Sequence, residues 1–168
     1  MKSRHEKKTI LIVVEGYAEE ALIAYLKRQF HQRQAGFILH IKNARGKGAL
    51  NVIRYAVRLH KQFGYSVTHV LFDTDKDWGA VAKALIKENH LVALPCEPCL
   101  EAELLRLLNE NAEGTTEQIK RRFLSRVGCE AHKINDYGSL LPVELIHKCI
   151  PSNLWVTKIV NLLSVAPR

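Results

Sequence analysis

Two hydrophobic periods alternate along the N-terminal part of the chain, and one of them takes over afterwards. Residues 9–14, TILIVV, form a short unbroken apolar run closed by Glu15 and Gly16. Its length and β-branched content predict a strand buried on both faces. In AEEALIAYLKRQF, Ala21, Leu22, Tyr25, Leu26 and Phe30 then recur at helical spacing. FILHIK alternates and predicts a second strand. A glycine-rich basic turn, ARGKGALN, leads into VIRYAVRLHKQF, where Val52, Ile53, Ala56, Leu59 and Phe63 form an inward helical face and Gly64 stops the helix. VTHVLFD predicts a third strand, WGAVAKALIKEN a third helix and HLVALP a short fourth strand. From Glu101 onward the period is helical, through LEAELLRLLNE, TTEQIKRRFLSRV, PVELIHKCI and NLWVTKIVNLL.

This order predicts an α/β fold with a four-stranded, mainly parallel sheet flanked by helices and a helical C-terminal extension. The expected boundaries are a frayed basic leader over 1–8, an α/β core over 9–108 and the helical extension over 109–168. The extension is expected to pack on the core as one domain, since no repeat or long linker divides the chain. Hydrophobic residues make up 47% and charged residues 25% of the 168. Those are globular averages, which exclude a disordered or collagen-like chain. Four cysteines at this length do not make a secreted disulfide scaffold. The apolar stretch Ile10–Val14 is one strand long, so neither a signal peptide nor a membrane span is expected, and the protein is read as cytoplasmic with no membrane partner. Lysine and arginine number 25 against 17 acids, a net charge of +8, which favours a polyanionic partner, nucleic acid first.

Open parallel sheets bind ligands beyond the carboxyl ends of their strands. Glu15-Gly16 follows the first strand, Asp73-Thr74-Asp75-Lys76-Asp77 the third, and PCEPC leads from the fourth to Glu101. If these strands are neighbours, the carboxylates converge on one edge, as hard divalent cations require. Asp73 and Asp75 share a side if the extended backbone continues. The bland alternatives are a helix-start glutamate at Glu15 and a capped Asp-rich loop. Arg45-Gly46-Lys47-Gly48 overhangs the same edge and offers backbone N–H groups and Lys47 to a phosphate. Arg54, Arg58 and Lys61 make one basic helical stripe, and Lys120, Arg121, Arg122 and Arg126 a second, together a nucleic-acid footprint. Trp78 either stacks on a base or packs its helix on the sheet. Cys96, Cys99, Cys129 and His132 have the spacings of a zinc set, but two predicted helices separate the pairs, and zinc is not expected.

IVVEG before a helix, followed by VLFDTDKDWG, resembles the TOPRIM fold of topoisomerases, primases and OLD-family nucleases, and more closely its RloB-like branch associated with bacterial defence loci. The branch motif EG-x-x-[TS]-E falls on Glu15, Gly16, Glu19 and Glu20, with Glu19 in place of the usual Thr. Pro98-Cys99-Leu100-Glu101-Ala102-Glu103-Leu104-Leu105 is similar to a P-C-F-E-x-W-L-L segment of that branch, with Leu100 for the aromatic and Glu103 for Trp. The likeness covers about residues 9 to 108.

The resemblance implies that Glu15 is the invariant acid and that Asp73 and Asp75 are the metal-binding pair. It also implies Asp77 as a helper through water and Glu101 as a further ligand or its support. The resulting expectation is a Mg²⁺- or Mn²⁺-dependent nuclease with one or two ions, catalytic residues Glu15, Asp73, Asp75 and Lys47, and a role in antiphage defence. Nucleic acid, DNA or RNA, would be held by Arg45, Lys47, Arg54, Arg58, Lys61, Arg121 and Arg122. Substrate choice would fall to the C-terminal helices, a protein partner encoded nearby or a second copy in a homodimer. A non-catalytic TOPRIM-like subunit that binds nucleic acid or a partner is the alternative. A phosphotransferase shares the acidic edge but lacks an ATP loop.

Overall fold

The computed structural model describes residues 7–32 and 36–165. Four strands and eight α-helices follow one another as β1 (Lys8–Val14), α1 (Tyr17–Phe30), β2 (Phe37–Asn43), α2 (Gly48–Phe63), β3 (Val67–Asp73), α3 (Ala80–Glu88), β4 (Val92–Cys96), α4 (Leu100–Leu107), α5 (Thr116–Val127), α6 (Tyr137–Leu140), α7 (Val143–Cys149) and α8 (Leu154–Ser164), with a 3₁₀ turn at Ala131–Lys133. The expected leader over 1–8 lies mostly outside the described residues, and Lys8 already belongs to β1.

The sheet order is β2-β1-β3-β4 and every pairing is parallel, so the sheet expected to be mainly parallel is parallel throughout. From β1 the chain steps to β2 on one side and then, through α2, to β3 on the other. The winding therefore reverses between β1 and β3, and the crevice beyond their carboxyl ends is where open α/β sheets take ligands. Register brings the two ends level: Val14 lies opposite Leu71, two residues before Asp73. This is a Rossmann-like arrangement, with helices on both faces of the sheet.

Pleating divides the strand residues between two cores. Ile10, Ile12, Val14, Leu71 and Leu94 face a larger core made with α1, α4 and the C-terminal helices, including Leu22, Leu26, Leu104, Phe123, Val156 and Leu163. Leu11, Val13, Val70 and Phe72 face a smaller one under α2 and α3, with Val52, Ile53, Ala56 and Ala82. The helices after Leu107 thus complete the first core and build none of their own. Helix α5 opens on a reciprocal cap: Thr115 Oγ1 accepts the Gln118 N–H, and Gln118 Oε1 accepts the Thr115 N–H.

Phe63, expected inward, is 59% exposed. It is the last residue of α2 before the left-handed Gly64, so it overhangs the end of the sheet and meets the Tyr65 ring edge-on at 6.2 Å. Trp78 packs on Phe72, ring centroids 4.8 Å apart, with Lys83 over its face, as the packing alternative expects. Among the described residues no helix is long and apolar enough to cross a membrane.

Candidate functional site

Glu15 leaves β1 at the reversal point and is held by backbone from two other segments. Its Oε1 accepts the N–H of Gly48, the first residue of α2, at 3.2 Å, and its Oε2 accepts the N–H of Asp73, the last residue of β3, at 3.1 Å. Its carbonyl oxygen accepts the Gly46 N–H at 2.6 Å. The turn that reaches it is unusual: Arg45, Gly46, Lys47 and Gly48 all have positive φ, at 63°, 80°, 76° and 78°. For the two non-glycine residues the left-handed region costs about 1–2 kcal/mol each, offset here by the bonds to Glu15. At Gly48 the left-handed φ of 78° favours glycine, and an added Cβ would also displace the exposed Asp77 carboxylate, 2.9 Å away.

Those bonds revise the phosphate role expected of this turn. The N–H groups of Arg45, Gly46, Gly48 and Ala49 donate to Asn43 Oδ1, Glu15 O, Glu15 Oε1 and Lys76 O. The cradle therefore encloses the protein's own glutamate.

Asp73 is joined to the fourth strand's exit. Its Oδ1 accepts the Leu100 N–H at 2.9 Å, at the start of α4, while Thr74 and Asp75 both donate N–H to the Pro98 carbonyl. Buried Glu103 fixes the loop from below, accepting the Glu97 N–H at 3.0 Å and pairing with Arg106 at 2.7 Å. The PCLE segment is thus the latch between β3 and α4.

A cleft of about 230 Å³ opens over these residues, with Glu15, Glu19, Asp73, Glu101, Lys120 and His132 among its lining. Burial pushes the Asp73 carboxyl up to about 8, with the Glu19 and Glu15 charges adding repulsion and Lys120 opposing it. Burial likewise pushes Glu19 up to about 7, against the backbone N–H bonds it receives from its own residue and from Gly16. Lys120 loses hydration, but Glu101 and Asp73 outweigh that loss and raise its pKa.

Of the D-x-D pair only Asp73 lines the cleft, although the Asp75 charge still helps to raise the Lys120 pKa. Extended backbone ends at Asp73, and the bend over 74–77 leaves Asp75 and Asp77 exposed and outside the cleft lining. Lys47 is also exposed and outside it, and the cation that faces the carboxylates is Lys120 of α5. Among the described residues no three His, Cys, Asp or Glu side chains are grouped closely enough to hold an ion alone. The donor chemistry still fits Mg²⁺ or Mn²⁺: the cleft offers carboxylate oxygens whose mutual repulsion Lys120 only partly opposes, and Mg²⁺ ordinarily takes one or two carboxylates and completes its shell with water and substrate phosphate.

Cys96 and Cys99 are buried in the larger core. Burial raises the Cys96 thiol well above its usual range and pushes Cys99 up to about 12, which keeps both protonated and poor ligands. His132 lies 3.5 Å from Glu130.

The two basic stripes differ. Arg121 pairs with Glu117, Arg122 donates to the carbonyls of Asn111 and Glu113, and Arg126 pairs with Glu110 at 2.6 Å. Of the stripe on α5, Arg122 and Arg126 thus hold the loop before the helix, Arg121 pairs within the helix and Lys120 lines the acidic cleft. On α2, Arg54 and Lys61 are exposed and make no ion pair among the described residues, and Arg58 lies over the Tyr55 ring at 5.1 Å.

The raised carboxyls make a pH prediction. Native Asp73 and Glu19 keep protons up to about 8 and 7, whereas the unfolded chain releases them near their ordinary values of 3.8 and 4.5. The native state binds more protons across that window, so their contribution to stability is full below about pH 4 and is lost as pH rises to about 8. Thermal melts in chelator are expected to fall from pH 5 to pH 8.5, with added Mn²⁺ restoring more at pH 8.5 than at pH 5. A melting temperature that rises across this range would contradict the carboxyl cluster.

Comparison of the chain with protein-family models, with curated proteins and with solved structures finds no match in any of the three.

Proposed function

We propose that the chain is a Mg²⁺- or Mn²⁺-dependent phosphodiesterase acting on nucleic acid, of the TOPRIM type that its sequence resembles. The observation that carries this reading is the convergence of Glu15, Glu19, Asp73 and Glu101, from β1, α1, β3 and α4, around one cleft with Lys120. The cleft lies at the point where the sheet's winding reverses. Asp73 and one neighbouring carboxylate of the cleft, Glu101 or Glu15, would hold the ion with water and substrate phosphate completing its shell, and the ion when bound supplies Lewis acidity and positive charge at the phosphodiester. Lys120, exposed at the rim of the cleft, adds a cation for the phosphate oxygens. Glu19, pushed up to about 7, can give or take a proton near neutral pH. Placed beside bacterial defence genes, as the RloB-like resemblance implies, such an activity would serve antiphage defence.

The test is incubation with Mg²⁺ or Mn²⁺ and a panel of DNA, tRNA and rRNA. Chelator-sensitive cleavage is the expected result, and none on any substrate would overturn the reading. Within that assay Lys120→Ala is expected to lose about 10²-fold in turnover and Lys47→Ala far less. A larger loss in Lys47→Ala than in Lys120→Ala would return the catalytic cation to Lys47. A second reading, a non-catalytic nucleic-acid-binding subunit, is favoured by one observation: both Glu15 oxygens are bonded to backbone N–H groups. It predicts binding indifferent to metal, without cleavage.

A further inference from the structure

Next to the acidic cleft lies a larger one of about 690 Å³, and the two share a wall. Tyr17, the first residue of α1, lines both. The left-handed turn continues that wall, with Arg45 in the larger cleft and Gly46 in the acidic one. The larger cleft is basic and aromatic: Lys42, Arg45 and Arg58 line it together with Tyr55 and Tyr17. Its one acid, Glu20, is tied to Asn43 Nδ2 at 2.8 Å. Tyr17 is 66% exposed and its ring packs in neither core.

We infer that this cleft binds an unpaired nucleotide of a single-stranded nucleic acid, adjacent to the phosphodiester that enters the acidic cleft. The inference rests on the nucleic-acid reading above and adds the strand state. A cleft of a few hundred Å³ suits one nucleotide. Aromatic faces with nearby arginines are how single strands are held, because each unpaired base offers a π-face that a stacked, paired base has already used. Tyr17 supplies the face, Lys42, Arg45 and Arg58 the phosphate charges, and the shared Tyr17 wall sets the stacked base beside the cleft that Asp73 lines.

The test is fluorescence anisotropy in chelator with labelled single-stranded and duplex oligonucleotides of one sequence, both as DNA and as RNA. The full chain should bind the single strand at least tenfold more tightly than the duplex. Tyr17→Ala should weaken single-strand binding by roughly tenfold, and Tyr17→Phe should restore it. Charge reversal of Arg45 and Arg58 should reduce the slope of log affinity against log salt by about 1.4, at about 0.7 per phosphate neutralised. Equal binding of duplex and single strand, or unchanged affinity in Tyr17→Ala and in the charge-reversed variant, overturns the inference and leaves the nucleic-acid reading in place. No binding of any oligonucleotide by the wild type overturns both.

Discussion

Asp73→Asn is expected to remove metal-dependent cleavage without weakening the fold. Asparagine keeps an oxygen for the Leu100 N–H, the one hydrogen bond the Asp73 side chain accepts at 2.9 Å, and so preserves the latch to α4. What it removes is a carboxylate that burial and the charges of Glu19 and Glu15 disfavour. Melting in chelator should therefore match wild type only below about pH 4 and exceed it increasingly from there to pH 8.5, because the unfolded wild-type carboxyl ionises near its ordinary 3.8 while the native one holds its proton up to about 8. Turnover, which needs that negative oxygen to hold a cation at the phosphate, should fall by about 10²-fold or more. A melting temperature that drops together with activity would make Asp73 a structural residue.

Glu15→Gln is expected to behave in the opposite way and to cost stability. As a helix-start charge alone, Glu15 would contribute only about 0.3–1 kcal/mol. Its two oxygens instead accept N–H groups from α2 and β3, fastening three segments and a strained turn. Glutamine satisfies one of those donors and points its own amide N–H₂ at the other. Leaving a half-buried N–H unsatisfied costs about 1–3 kcal/mol, and at this chain length each kcal/mol lowers the melting temperature by about 2–4 °C. Glu15→Ala should cost more. Urea melts of both variants beside wild type read the effect directly, and coincident curves would show that the carboxylate does not bear on the fold.

The behaviour of these two acids marks where sequence pattern suffices. The strand ends, the parallel order and the two-sided burial of Leu11–Val14 follow from local period and length, because a βαβ chain has few ways to cover a sheet. The carboxyl edge follows with them, and so do Glu15 and Asp73. The side of the bend on which Asp75 lies depends on two hydrogen bonds to Pro98, a residue from another strand's exit, and no local pattern reports that. Lys120 sits in the basic run Lys120-Arg121-Arg122 and reads as part of a solvated stripe. Only the burial of Ile119 and Phe123 in the larger core brings it over the acids, while its neighbours turn to Glu117 and to the carbonyls of residues 111 and 113. Glu19 had a local signal: an acid in the first helical turn, where the resembling motif carries Thr, three residues after a glycine whose N–H it accepts at 3.0 Å. Its burial, at 6% exposure, comes from the packing of the 3₁₀ turn and α6 on α1, two elements too short to show a period.

The most direct measurement is isothermal titration of Mn²⁺ into the wild type, Asp73→Asn and Asp75→Asn near pH 7.5. Saturable binding by the wild type, its loss in Asp73→Asn and its retention in Asp75→Asn is the predicted result, because Asp73 lines the acidic cleft and Asp75 does not. Binding that survives Asp73→Asn, or a wild type that binds no Mn²⁺ at all, would contradict the claim that the cleft between β1 and β3 is a divalent-metal site.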